Sequence, residues 1–134
     1  MYFGFWLLAI GFLFKIKKMR NFRQYEIWQK AVDIADSIYK ICDGFPKCEL
    51  YALSDQLRRA VVSISSNIAE GSSRTSVLEF AHFLEISIGS AFEVETQLLI
   101  AKRRGYLSDE IYDSTIKEIQ SLERQLNTFI SKLK

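Results

Sequence analysis

The chain has 134 residues, with 18 Lys and Arg against 16 Asp and Glu, one His and two Cys. Its hydrophobic fraction of 49% and charged fraction of 25% are typical of one globular domain and exclude a disordered or collagen-like chain. Cys and His are too few for a disulfide scaffold or a zinc site of the usual kind. The formal net charge of +2 argues against nucleic-acid binding by bulk charge alone.

The first 18 residues differ from the rest, because the uncharged run MYFGFWLLAIGFLF is followed by three lysines and then by Met19. Fourteen helical residues cover about 21 Å, less than the ~30 Å of a bilayer core. The basic residues follow the apolar run, whereas a secretory signal has them before it. We therefore divide the chain into an apolar leader, 1–18, and a domain, 19–134. Three interpretations of the leader stay open: translation that starts at Met19, a weak membrane anchor with its basic flank on the cytoplasmic side, and a segment buried against a partner.

Apolar residues recur at helical spacing throughout the domain, and strand-like alternation is nearly absent. The pattern predicts a first helix over 24–42 and a second over 49–70. A third helix is expected to run from the capping box Ser76-x-x-Glu79 to Arg104, and a fourth to begin at Ser108.

Glycines are expected to end the first three helices. Gly44 is predicted to take the left-handed conformation at the end of the first helix, where Pro46 blocks its continuation. Gly71 is predicted to stop the second helix and Gly105 the third.

The fourth helix has the clearest pattern, a seam with a seven-residue repeat. Its two alternating sets of seam residues are Tyr112, Ile119, Leu126 and Leu133, and Thr115, Leu122 and Phe129. This period is that of helices packed side by side at a shallow angle. Four helices with short connections predict an all-α fold, an antiparallel up-down-up-down four-helix bundle.

The third helix is too apolar for one core-facing stripe. Its predicted core residues are Val77, Phe80, Ala81, Leu84, Ile88, Ala91 and Leu98, and the apolar residues left over are Phe83, Ile86, Val94 and Ile100. We predict a subunit interface at the leftover residues, the alternative being that they pack under loops or the leader. The second helix carries a polar stripe opposite its apolar side, made of Arg59, Ser63, Ser66 and Glu70. We predict that this stripe belongs to the same subunit interface, the alternative being that it faces solvent.

No arrangement of residues indicates catalysis. His82 is the only histidine, and Glu79-x-x-His82 supplies only half of a di-iron motif, so no metal site is predicted. Cys42 and Cys48 are expected to be reduced thiols. We predict no catalytic residues, no cofactor and no small-molecule substrate.

Three basic clusters are candidates for contact with RNA phosphates or other anions: Arg58 and Arg59, Arg74, and Lys102, Arg103 and Arg104. The last cluster also suits the end of a helix, where the helix dipole favours cations. The domain alone carries 15 basic and 16 acidic residues, because the leader contains three of the lysines. Anion binding must therefore come from local clusters, which a symmetric oligomer would multiply.

Several blocks of the sequence together resemble a known family. They are NFR (21–23), IWQKA (27–31), FP (45–46), ELYALSDQLRRA (49–60), SISSNIAEG (63–71), EF (79–80), FL (83–84), GS (89–90), Glu93 and QL (97–98). This combination is similar to the 23S rRNA intervening-sequence proteins, also called four helix bundle proteins. The resemblance covers about 19–107 by motif and the rest by pattern. The leader departs from it, because such proteins usually begin near the equivalent of Met19.

The resemblance implies a homopentameric bundle, encoded within insertions in bacterial 23S rRNA genes or elsewhere in the chromosome, with no established enzymatic activity. It also implies binding of RNA, and a related accessory protein of diversity-generating retroelements uses a similar bundle to engage a reverse transcriptase and nucleic acid. We therefore expect a cytoplasmic, non-enzymatic scaffold for RNA or a ribonucleoprotein. The alternatives are a protein-interaction scaffold without nucleic acid, and a membrane-tethered bundle if the leader is real.

Overall fold

The computed structural model describes residues 19–134, and the predictions about the leader lie outside this range. The described chain contains four α-helices, two short 3₁₀ turns and no strand. The helices are α1 (Glu26–Asp43), α2 (Leu53–Ser72), α3 (Val77–Arg103) and α4 (Asp109–Leu133), and the 3₁₀ turns are Phe22–Gln24 and Lys47–Glu49.

The helices form a closed four-helix bundle. Each helix packs against its neighbours in the chain, and α1 also packs against α4. In the described range, the backbones of the diagonal pairs do not come close to each other. These pairs are α1 with α3 and α2 with α4. The predicted up-down-up-down fold is confirmed. We call the end with connections 44–52 and 104–108 the double-loop end, and the end with connection 73–76 the single-loop end.

The predicted seam of α4 faces the core. Ile119, Leu122 and Leu126 are fully buried and Thr115 is buried, while Tyr112, Phe129 and Leu133 are partly buried against the core. The start of α4 is also as predicted, because the Ser108 hydroxyl accepts a hydrogen bond from the Ile111 amide at 3.2 Å.

The core face of α3 agrees with the prediction at five buried residues and differs at Val77 and Val94. The five are Phe80, Ala81, Leu84, Ala91 and Leu98. The buried residues of α3 form their own seven-residue pattern: Phe80, Ser87, Val94 and Ala101, alternating with Leu84, Ala91 and Leu98. The prediction of Val94 as an interface residue is wrong, because its side chain is fully buried in the core. The prediction of Val77 as a core residue is also wrong, because it lies 42% exposed at the first position of the helix. Since α3 is apolar on several sides, periodicity alone leaves its inner face undefined.

Only one of the three helix-ending glycines acts as predicted. Gly105 has φ of 76°, and the Tyr106 amide donates to the Ala101 carbonyl at 2.9 Å, the pattern of a Schellman motif. Gly44 instead keeps a right-handed conformation with φ of −87°. The prediction for Gly44 is therefore wrong: α1 ends in a tight turn before Pro46 without a left-handed residue.

Gly71 does not stop α2, which continues to Ser72. A Cβ atom at Gly71 would lie 2.6 Å from the Phe83 Cβ and 3.1 Å from Phe80 Cδ1. Glycine is needed here because α2 and α3 lie very close together next to connection 73–76, which joins them.

Hydroxyl groups continue this close contact along α2 and α3. The Ser63 and Ser90 hydroxyls are 2.8 Å apart, and the buried Ser87 hydroxyl donates to the Ile64 carbonyl at 2.9 Å. The Asn67 side-chain amide donates to the Ser63 carbonyl at 2.8 Å, so it also supports this contact from within α2. The Ser63 hydroxyl is hydrogen-bonded inside the chain, and the place of this half-buried residue in an interface stays a prediction.

Alanine at the glycines tests these assignments. We expect Gly71→Ala to lower the free energy of unfolding by about 1–3 kcal/mol, because the added methyl group collides with the Phe83 Cβ. The matched control is Gly44→Ala, which meets only the Ile41 carbonyl oxygen at 3.5 Å and should be neutral or stabilising by up to about 1 kcal/mol. Urea denaturation measures both changes, and an equal loss in the two variants would contradict the close approach at Gly71.

Candidate nucleic-acid interface

Connection 44–52 contains ordered structure of its own. As a result, α2 begins later in the sequence than predicted. Phe45 is buried, and the Lys47–Glu49 turn follows Pro46. The second helix starts at Leu53, not near Glu49, because the Glu49 carboxylate instead accepts the Leu53 amide hydrogen bond at 3.2 Å. Glu49 therefore caps α2 from outside the helix.

Glu49 also joins the two connections of the double-loop end. The Schellman turn at Gly105 directs Tyr106 back across the bundle, and the Tyr106 hydroxyl donates to Glu49 Oε1 at 3.1 Å. The Tyr106 and Phe45 ring centroids are 5.4 Å apart. Connections 44–52 and 104–108 are therefore held as one surface.

Five of the six residues predicted for anion contact lie at or near the double-loop end, and three of them already have carboxylate partners. Arg58 lies 3.6 Å from Asp43, Arg59 lies 3.0 Å from Asp55, and Lys102 lies 3.8 Å from Asp109. These pairs cancel much of the positive charge that the sequence clusters suggest.

Arg103 and Arg104 are the available cations of this surface. Both are exposed, and within residues 19–134 no carboxylate approaches either guanidinium to ion-pair distance. A hydrogen bond with the Tyr106 hydroxyl and the nearby charge of Glu49 raise the pKa of Arg104 above its usual value. A permanently charged arginine pair beside a rigid loop is a suitable contact for phosphate groups.

Arg74, the sixth predicted residue, lies at the single-loop end. Its guanidinium packs 4.9 Å from the centre of the Phe83 ring. Arg20, which was not predicted, donates hydrogen bonds to the Ser72 and Arg74 carbonyls. Arg74 is therefore separated by the length of the bundle from the other predicted contacts.

Two exposed residues of the double-loop end were missed from the sequence. Lys47 belongs to the 3₁₀ turn, and Tyr51 is 91% exposed between that turn and α2. The periodicity predicts a second helix that begins at residue 49, and this range includes Tyr51. The FP dipeptide at 45–46 was the available signal that an irregular turn follows.

The outer face of α3, opposite its buried seam, carries exposed apolar residues among the polar residues Glu85, Glu93 and Thr96. We define it by its exposed residues Leu78, Ile86, Gly89, Phe92, Leu99 and Ile100. Of the predicted interface residues on α3, Ile86 belongs to this face, whereas Phe83 is half-buried beside Gly71 and Arg74. On α2, Ser66 and Glu70 are exposed and Arg59 pairs with Asp55.

The described residues contain no cluster of three or more His, Cys, Asp and Glu side chains that could hold a metal ion. His82 is exposed on α3 near Phe83. Cys42 is buried, burial raises the pKa of its thiol, and Cys48 is a free exposed thiol.

One carboxyl pair lies between α3 and α4, where Glu123 hydrogen-bonds with Glu95. Desolvation, followed by the hydrogen bond and the charge of Glu95, raises the pKa of Glu123 to about 8, although Arg124 acts in the opposite direction. The Gln120 amide donates to Glu95 Oε1 at 2.9 Å. Glu123 therefore keeps its proton near neutral pH, and the carboxyl pair bridges two helices.

Comparison with known proteins identifies the family. The description "23S rRNA-intervening sequence protein" belongs to the family model that matches residues 23–128. The chain belongs to this family. Membership confirms the resemblance predicted from the sequence blocks.

A solved structure of similar fold supports the same grouping for this 23S rRNA-intervening sequence protein. It is the crystal structure of a protein of unknown function from the S23 ribosomal protein family of Bacteroides thetaiotaomicron. The two chains are 26% identical, and the match covers 78% of this chain and 97% of the other with a TM-score of 0.70. Among curated proteins no match is found. In the part of the chain that the structure describes, no helix is long and apolar enough to cross a membrane.

The Glu95–Glu123 pair predicts that stability falls as pH rises. The folded state keeps the Glu123 proton up to a pKa of about 8, whereas an unfolded glutamate releases it above about 4.3, so stability decreases between these values. We expect a lower melting temperature at pH 8 than at pH 5, and Glu123→Gln should reduce that difference. Glu118→Gln, at an exposed position of α4, is the control. An unchanged pH slope in Glu123→Gln would contradict the raised pKa of Glu123.

Proposed function

We propose that this 23S rRNA-intervening sequence protein is a non-enzymatic bacterial protein of the cytoplasm that binds RNA, or an RNA–protein complex, as a homo-oligomer. The observation that carries the proposal is the Arg103–Arg104 pair, which lacks carboxylate partners in the described chain and lies on a rigid double-loop end. The family description supports RNA over other polyanions.

The outer face of α3 supports the oligomeric part of the proposal. In a single bundle the positions opposite a buried seam are normally polar, whereas here Phe92 is 55% exposed and Leu78 is 76% exposed. A Cβ atom at Gly89 would meet nothing within 4 Å, so no contact inside the chain requires glycine in the middle of this helix. We assign this face to a second copy of the chain, whose backbone approaches at Gly89, and we take the family resemblance as the reason to expect five copies.

Oligomerisation lets a nearly neutral domain bind a polyanion. The domain has 15 basic and 16 acidic residues, so one copy offers only a few cations. Symmetry repeats the same arginine pair around the assembly, and each added phosphate contact strengthens RNA binding.

The first experiment measures binding of a labelled single-stranded RNA to the purified full chain over a range of salt concentrations. We expect Arg103→Glu with Arg104→Glu to weaken binding by tenfold or more and to lower the salt slope by about 1.4, corresponding to two lost phosphate contacts. The control, Lys117→Glu with Lys132→Glu on α4, makes the same change in charge elsewhere. Absence of RNA binding at low salt would overturn the proposed function and favour a scaffold that binds only proteins.

The second experiment measures the mass of the assembly by light scattering. Ile86→Glu is expected to dissociate the oligomer, because it places a charge on the outer face of α3. Val32→Glu on α1 replaces an equally exposed apolar residue outside that face and should leave the mass unchanged. A monomeric wild-type chain, or equal dissociation by both variants, would contradict the assignment of the interface.

A further inference from the structure

Tyr51 is the most exposed aromatic side chain of the described residues, at 91%. The other described tyrosines are half-buried or make contacts: Tyr25 packs near Phe80 and Phe129, Tyr39 lies under Arg58, Tyr106 bonds to Glu49 and Tyr112 lies under Lys102. Tyr51 therefore contributes little to the stability of the bundle through burial.

The backbone around Tyr51 is nonetheless fixed. The Leu50 amide donates to the Lys47 carbonyl at 3.1 Å, and the Ala52 amide donates to the Glu49 carbonyl at 3.0 Å. Glu49 is itself tied to Tyr106 and to the Leu53 amide. A ring on such a turn is displayed with little conformational entropy left to lose on binding.

Two cations lie at this turn, and the carboxylates of Glu49 and Asp55 are already engaged. Arg104 lies close enough to Glu49 for the carboxylate charge to act on it, and Lys47 belongs to the turn itself. The two Glu49 oxygens accept from Tyr106 and Leu53, and Asp55 pairs with Arg59. The surface near Tyr51 thus combines an available ring with available positive charge.

We propose that Tyr51 is a stacking platform for an unpaired base of single-stranded RNA, with Arg103 and Arg104 contacting the neighbouring phosphates. An aromatic ring flanked by cations binds single strands because every base has a face on which the ring can stack. Paired bases in an A-form helix are already stacked, so a protruding ring selects unpaired nucleotides. This inference rests on the proposed function and names the RNA class that the same surface recognises.

The test compares Tyr51→Ala, Tyr51→Phe and wild type for binding to a single-stranded RNA and to the same RNA annealed to its complement. Tyr51→Ala should weaken single-strand binding by about 5- to 100-fold and leave the salt slope unchanged, because stacking releases no counterions. Tyr51→Phe should bind within about twofold of wild type. Duplex binding should be weaker in wild type and insensitive to Tyr51→Ala.

A spectroscopic readout separates stacking from a general loss of binding. RNA carrying 2-aminopurine should lose fluorescence on binding wild type, and the loss should be smaller at saturation with Tyr51→Ala. Tyr39→Ala, a substitution of a half-exposed tyrosine on α1, is the control. Circular dichroism and light scattering verify that the fold and the assembly are unchanged in each variant.

The outcomes distinguish this inference from the proposed function. If wild type fails to bind RNA, the proposed function fails and this inference fails with it. If wild type binds and the Arg103–Arg104 variant is weakened, but Tyr51→Ala binds like wild type, only the stacking role is overturned. Equal weakening by Tyr39→Ala, or equal affinity of wild type for single strand and duplex, also overturns it.

Discussion

The close contact between α2 and α3 is the constraint on which the rest of the structure depends. Gly71 leaves no space for a side chain opposite Phe83, and farther along the helices the Ser63 and Ser90 hydroxyls are 2.8 Å apart. This contact decides which side of α3 faces inward, and so it also decides which apolar residues of α3 remain outside. The exposed outer face is therefore a consequence of the same packing that completes the core.

The sequence predicts the elements best where one side of a helix is apolar and the others are polar. In α4 the seam from Tyr112 to Leu133 is the only apolar side, and in the structure this side faces the core. In α3 apolar residues occur on several sides, so Val94 was placed at the surface although it is fully buried. The inner face of α3 is set by its close contact with α2, and the pattern of a single helix carries no information about a neighbouring helix.

The same limit explains which parts of the candidate site were predicted. Clusters such as Arg58–Arg59 and Lys102–Arg104 are visible in the sequence, but their pairing with Asp43, Asp55 and Asp109 depends partly on neighbouring elements. Only the folded chain separates the paired cations from Arg103 and Arg104. Tyr51 was missed for a local reason: Glu49 caps α2 from outside, so the helix begins after the tyrosine and not before it.

In the proposed assembly, the two surfaces are physically linked through α3. Its outer face runs along the helix through Gly89 and Phe92 to Ile100, and one turn later reaches Arg103 at the double-loop end. Parallel copies that packed along this face would bring their arginine pairs toward one another, and like charges within about 8 Å repel each other at physiological salt. An RNA strand that passed between such copies would neutralise this repulsion, so it would bind the assembled form more tightly than the single chain. By thermodynamic linkage, the RNA would then also stabilise the assembly. On the proposed function, the apolar face and the arginine pair are two parts of one binding equilibrium, in which the bundle supplies the geometry and the polyanion offsets the charge.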